Sequence, residues 1–272
     1  MLVIDGQQRI TSIAYFFDGF FGGEDAGTRK VFRLSGLSDK SPFEGKTFDD
    51  LDASTQRKLK GAPLRAINIR QLKPESDNSS VYQIFERLNT GGTPLKSQEI
   101  RNAVYRGAFN ELLKDFNRIP EWRKLLGKKI PDKHMRDVEL LLRVFALTYY
   151  RSRFDGKMKD FLSSCMYMNR DAKSSPVDDF SKAFRVTVKQ LATKLPSDPF
   201  RRRGPINSAM LEAVFCACLS NQDKTQSAPL DVGYKKLLGD ATFLDAISQA
   251  TNSVERVQAR FERATTLLFD DA

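Results

Sequence analysis

The chain opens on a short apolar run, Leu2-Val3-Ile4, closed by Asp5-Gly6, which predicts a buried strand ending in a turn. From Gln7 onward, Ile10, Ile13, Ala14 and Phe17 recur at helical spacing, so a helix follows and stops near Asp18-Gly19. Val31 to Leu34 and Leu64 to Ile69 read as further strands, separated by loops rich in Gly, Pro and Asp. Ser80 with Gln83 three residues later reads as a capping box, opening a helix whose apolar stripe is Val81, Ile84, Phe85 and Leu88.

Beyond about Arg101 the pattern is helical almost throughout. Val138, Leu141, Leu142, Phe145 and Tyr149 hold one face, as do Ile206, Met210, Ala213, Val214 and Ala217. The longest unbroken apolar run, Ala213 to Leu219, predicts a turn or two of buried helix. The last helix, about Ser253 to Leu268, turns Val254, Val257, Phe261, Ala264 and Leu268 inward. The fold class is therefore α+β: a small mixed N-terminal unit, residues 1–105, and an all-helical unit, residues 106–272. No repeat of fixed period and no low-complexity tract is visible.

Composition narrows the function classes. The 272 residues carry a net charge of +10, and the segment 106–160 supplies +6 of it, which favours an anionic partner or a solvated basic surface. One His and three Cys, at the wrong spacing, exclude a four-ligand structural zinc cluster and a centre built from several imidazoles. Cys165, Cys216 and Cys218 lie in apolar surroundings and read as reduced packing thiols. No stretch approaches the ~18 apolar residues of a membrane span. The start also lacks the pattern of a signal peptide, so a cytoplasmic protein is expected.

The sharpest chemistry lies at Asp5-Gly6-Gln7-Gln8-Arg9, where a strand passes through a glycine turn into a helix. A helix N-terminus presents backbone N–H groups with no intrahelical acceptor, and its dipole favours an anion. Gly6 lets a phosphate approach the backbone, Arg9 can clamp phosphate oxygens through its planar fork, and Asp5 can hold Mg²⁺ or orient a water. The alternative is Asp5 as a plain helix N-cap with Arg9 exposed or paired to an acid. Neither Gly45-Lys46-Thr47 nor the Gly22/Gly27 pair completes a Walker A loop. A second constellation runs from Phe85-Glu86-Arg87-Leu88-Asn89-Thr90-Gly91-Gly92-Thr93-Pro94-Leu95 through Gln98-Glu99-Ile100-Arg101-Asn102. Taken alone it reads as a helix–loop–helix joint with Asn89 and Thr90 as caps.

Together, Val3-Ile4-Asp5-Gly6-Gln7-Gln8-Arg9-Ile10-Thr11 and the Phe85–Leu95 block resemble the DGQQR family, the domain of unknown function 262 found as the N-terminal half of GmrSD-type restriction enzymes. Arg136 to Arg143, Lys159 to Leu162 and Arg260 to Ala264 look loosely similar as well. The resemblance implies a ParB/sulfiredoxin-like core followed by helices. It also implies Mg²⁺-dependent binding or hydrolysis of a nucleoside triphosphate that gates DNA cleavage in phage defence. Carried over by position, Asp5, Gln8 and Arg9 take the catalytic roles, with Asp5 also the metal ligand. Gly6, Gln7, Glu86, Arg87 and Asn89 take the nucleotide-binding roles.

Two departures from the family pattern set further expectations. The chain begins only four residues before Asp5, so the family's usual N-terminal segment is expected to be missing. The single His134 cannot build a His-Asn-His nuclease, so a separate nuclease subunit, together with DNA, is the expected partner. The competing reading is a non-catalytic DNA-binding or regulatory module whose same turn grips a DNA phosphate. Three weaker features read as structural: Arg201-Arg202-Arg203 as a solvated loop, Trp122 as a packing anchor, and Arg256, Arg260 and Arg263 as a solvated face of the last helix.

Overall fold

The computed structural model describes residues 3, 6–21, 29–38, 40–67, 79–88, 95–201 and 204–270. The chain divides into two compact units: Met1–Asp77 with Arg87–Thr93, and Asn78–Glu86 with Pro94–Ala272.

In the first unit, helix α1 (Gln7–Asp18) ends at Gly19, whose φ of 78° makes the left-handed cap that a side chain would resist. The chain then enters β1 (Phe20–Phe21), paired antiparallel with β2 (Lys30–Val31) in the register Phe20↔Val31. A loop leads from β2 to α2 (Ala53–Lys60), where Asp52 accepts hydrogen bonds from the Ser54 and Thr55 amides. The core of this unit is Phe16, Phe48 and Leu51, with Phe32 and Leu34 packed against it. Phe16 meets Phe32 and Phe48 edge-on, at centroid distances of 5.6 and 5.7 Å.

Three expectations change here. The buried residue of α1 is Phe16, whereas Ile10 is 50% exposed and Phe17 lies at the surface, so the inward face is rotated from the one the spacing selected. Of Val31 to Leu34 only Val31 is in a strand, and residues 64–67 form no strand; Leu64 and Ile67 are exposed. β-branched composition favours a strand only where a neighbour supplies the ladder, and no described segment pairs with 64–67. The first strand predicted at residues 2–4 falls outside the described residues apart from Val3. The described residues are thus mostly helical with one two-stranded sheet.

The second unit is helical from α3 (Ser79–Leu88), which contributes its residues up to Glu86, and α4 (Ser97–Val104) onward. Next come α5 (Ala108–Asn117), α6 (Pro120–Leu125), α7 (Arg136–Tyr149), α8 (Met158–Met168) and α9 (Ser175–Lys194). The chain finishes with α10 (Ser208–Ser220), α11 (Gln222–Ser227), α12 (Leu230–Gly239), α13 (Ala241–Ala246) and α14 (Val254–Phe269). Helix α10 is the axis of the unit: every residue from Ala209 to Leu219 is buried, against α7, α9 and α14. A helix apolar on all sides is stable only when surrounded.

Around α10 the aromatic side chains interlock. Phe116 stacks on Phe184 at 5.1 Å, and Trp122 packs edge-on against Phe184 and Phe215. Each such ring, fully buried, contributes roughly 1.5–3 kcal/mol. Trp122 is indeed a packing anchor: its indole N–H donates to Asn117 Oδ1 at 3.1 Å. The three cysteines are buried thiols, as expected, and burial pushes Cys216 and Cys218 up to about 12.

One charge sits inside α10. Glu212 is fully buried and accepts from Arg143 Nε at 2.5 Å and from Arg260 Nη2 at 2.6 Å. Arg143 also lies 3.9 Å from Glu139, which accepts from Arg101 at 3.0 Å. A ladder of three arginines and two glutamates thereby ties α4, α7, α10 and α14. The expectation that Arg260 faces solvent is overturned, because its side chain is wholly buried. Its neighbours behave otherwise: Arg256 pairs with Asp245, and Arg263 with Asp240, whose carboxyl that bond holds below its ordinary value.

Candidate functional site

The DGQQR turn is built by the first turn of α1. Gly6 occupies the N-cap position at φ 87°, ψ 4°, a left-handed conformation that costs an L-residue roughly 1–2 kcal/mol. Its carbonyl already accepts from the Ile10 amide at 2.9 Å, so the helix is closed from its first turn. Gly6 supplies no side-chain acceptor, and among the described residues no side chain caps this helix.

Arg9 completes the turn. Its guanidinium folds back over the helix start, so that a Cβ placed on Gly6 would sit 3.3 Å from Nη2 and 3.6 Å from Nε. Gly6 is thus required for its backbone angle, and a side chain there would also nudge the arginine by a few tenths of an ångström. Gln7 and Gln8 are exposed on the same turn. The N-cap is Gly6 and not Asp5, which departs from the plain-cap alternative; Asp5 itself lies outside the described residues. The arrangement joins a helix start, a left-handed glycine and a planar cation folded over it, all of which suit a phosphate.

The second block behaves differently. Glu86 and Arg87 are both exposed on α3, away from the buried Tyr82 and Phe85. Glu86 is engaged by Lys159 of α8 at 2.5 Å. Asn89 and the glycines after it lie outside the described residues. Further on, the same block supplies buried polar residues: Arg101 donates to Gln98 and Glu139, and the His134 ring nitrogen lies 3.4 Å from Glu99. Sequence reasoning assigned Gln98 and Arg101 no role. The sign that was available is their place in α4, where Gln98 and Arg101 stand three apart on the face that also buries Val104.

The remaining candidates are structural in these surroundings. Arg201 pairs with Asp198 at 2.7 Å, and Arg202 and Arg203 fall outside the described residues. A cleft of about 440 Å³ between the end of α7 and α14 has Arg151 as its cation, held 4.8 Å over the Phe261 ring. Among the described residues no group of three or more His, Cys, Asp or Glu side chains converges to hold a metal. No helix among them is long and apolar enough to cross a membrane.

Alongside this left-handed glycine and the arginine folded onto it stands a likeness to known proteins. Residues 1–106 match the family model of the GmrSD restriction endonuclease, N-terminal domain. The match puts this segment among components of restriction-type phage-defence systems. No curated protein and no solved structure matches the chain.

Proposed function

We propose that the chain binds and hydrolyses a nucleoside triphosphate at the Asp5–Arg9 turn, on a ParB/sulfiredoxin-like core, as the nucleotide-dependent part of a DNA-restriction system in which a separate nuclease subunit cuts. The observation that carries this reading is the Arg9 guanidinium folded onto a left-handed Gly6 at a helix start, within the matched domain. In this reading the amides of the first turn receive phosphate oxygens, and Arg9 neutralises the charge that grows on them as the terminal phosphoryl group is transferred. Gln8 orients the attacking water. Its oxygen bonds to the terminal phosphorus as the bridging oxygen leaves with the nucleoside diphosphate. Asp5 takes the water's proton or holds the metal.

In this reading Mg²⁺ arrives on the triphosphate, held mainly by phosphate oxygens and water, with Asp5 the one protein ligand proposed. Bound there, Mg²⁺ supplies charge neutralisation. Arg87, Asn89 and Glu86 are assigned to nucleotide binding, and Glu86 must exchange Lys159 for the ligand to take part.

The test is phosphate release from each of the four ribonucleoside triphosphates with Mg²⁺, comparing the chain with Asp5→Ala and Arg9→Ala. Turnover abolished by both substitutions, in proteins whose Trp122 fluorescence is native, supports the reading. Turnover that survives both, or its absence in the unmodified chain together with no thermal stabilisation by saturating nucleotide, overturns it.

A further inference from the structure

Between the end of α7 and the start of α14 lies a cleft of about 440 Å³, within the ~300–1,000 Å³ that suits a small molecule. Phe154, Val254 and Val257 give it apolar walls, and Tyr149 adds an aromatic one. Arg151 is the only charged residue that lines it, with the Ser152 hydroxyl beside it in the chain.

Arg151 is held in place without being neutralised. It opens a 3₁₀ turn, Arg151–Arg153, whose carbonyl at Arg151 accepts from the Phe154 amide at 3.0 Å. Its guanidinium lies 4.8 Å over the Phe261 ring. A ring contact orients a guanidinium but supplies no counter-charge and no oxygen for its N–H donors. Among the described residues those donors have no acceptor, and the Ser152 hydroxyl has no partner.

The charge behind the cleft has the same sign. Arg260 also lies over the Phe261 ring, at 5.7 Å, and shares the Glu212 carboxylate with Arg143. Glu139, 3.9 Å from Arg143, is taken by Arg101 at 3.0 Å. Thr148, which lines the cleft, lies 3.2 Å from Cys216 Sγ, and that thiol is within electrostatic reach of both Arg151 and Arg260. Arg143, Arg151 and Arg260 therefore stand against the single carboxylate of Glu212, a surplus of two positive charges. The acids near the cleft are exposed: Asp179, within reach of Tyr149, Glu255, next to Val254, and Glu262, which accepts from Gln258. None of them lines it, and solvent screens them more than the buried pairs.

We propose that this cleft binds a phosphate monoester on a flat apolar body, with the phosphate at Arg151 and Ser152 and the body against Phe154, Val254 and Val257. A phosphate monoester carries about two negative charges at neutral pH, which matches the surplus, whereas a carboxylate brings one. The site shares no residue with the Asp5–Arg9 turn and stands or falls separately from the nucleotide reading.

The probe is phenyl phosphate, titrated at constant ionic strength into the full chain with its valine methyl groups labelled for NMR. The Val254 and Val257 methyls are expected to shift saturably. Inorganic phosphate, which lacks the body, and benzoate, which lacks the second charge, are expected to bind several-fold more weakly. Arg151→Gln is expected to keep the Trp122 urea midpoint, because Arg151 is exposed, and to lose about tenfold in affinity, the worth of a charge-assisted hydrogen bond. Arg151→Lys, which keeps the charge and loses the fork, is expected to lose less. The proposal is overturned if phenyl phosphate moves neither methyl, if Arg151→Gln binds it within twofold of the unmodified chain, or if inorganic phosphate or benzoate binds as tightly. It is also overturned if affinity is lost in Arg9→Ala and kept in Arg151→Gln, and in that case the nucleotide reading is untouched.

Discussion

Glu212→Gln tests the energetics of the helical unit most directly. The carboxylate is fully buried and each of its oxygens is used, one by Arg143 and one by Arg260. An amide of the same size keeps a single acceptor, and its NH₂ must turn toward one of two guanidinium groups that can only donate. The oxygen is expected to stay with Arg260, which is wholly enclosed, and the clash to fall on Arg143, whose side chain is 12% exposed. Losing one charge-assisted bond costs about 1.5–3 kcal/mol, and leaving buried cations without their anion brings the total to about 3–5 kcal/mol. With a urea m-value of about 2–3 kcal/mol/M, the midpoint falls by roughly 1–2 M. Trp122 is the single tryptophan and lies fully buried in the same unit, so its fluorescence follows this unit's unfolding without a label. Glu86→Gln is the matched control, since the Glu86–Lys159 pair is 47% and 43% exposed and is worth at most about 1 kcal/mol. A Glu212→Gln midpoint within the range of that control would refute the claim that the ladder carries buried, unscreened charge.

Two other outcomes follow from the geometry. Gly6→Ala is expected to cut nucleotide turnover at least tenfold, because the new Cβ is strained at φ 87° and displaces the Arg9 guanidinium from 3.3 Å, while the Trp122 urea midpoint stays unchanged; equal turnover would show the turn is not the site. Burial raises Cys216 and Cys218 to about 12 from an ordinary value of 9.0, so the folded state holds protons that the unfolded chain releases. Stability is full below about pH 9 and falls above it by ~1.4 kcal/mol per pH unit for each thiol. Urea midpoints from pH 7 to 10.5 measure this, and rapid labelling of the native protein by a thiol reagent at pH 8 would contradict it.

What the sequence made legible depended on how local its physics is. The glycine turn at Gly6, the stop at Gly19 and the long helical tract all rest on contacts within a few residues, and the structure reproduces them. The strand expected at Leu64–Ile69 failed where described because a strand needs a partner from elsewhere in the chain. The helix through Ile206 to Ala217 was legible from one periodic face, but its burial on every side from Ala209 to Leu219 depends on the helices packed around it, which lie far away in the chain.

Arg260 is the instructive miss. Spacing from Arg256 and Arg263 put it on a polar face, yet it stands three residues after Val257 and four before Ala264, on the apolar stripe itself. A lone cation in an apolar stripe requires a buried anion, and the chain offers one in kind: Glu212, the lone charge within the apolar tract of α10. Two unmatched charges of opposite sign, each out of place on its own helix, are a long-range contact written in sequence, and the 2.6 Å pair between them joins α10 to α14. Applied to α4, the same reasoning marks Arg101 as a second cation on a buried face. Its partner is Glu139 of α7, at 3.0 Å, so this cation too marks a contact between two helices.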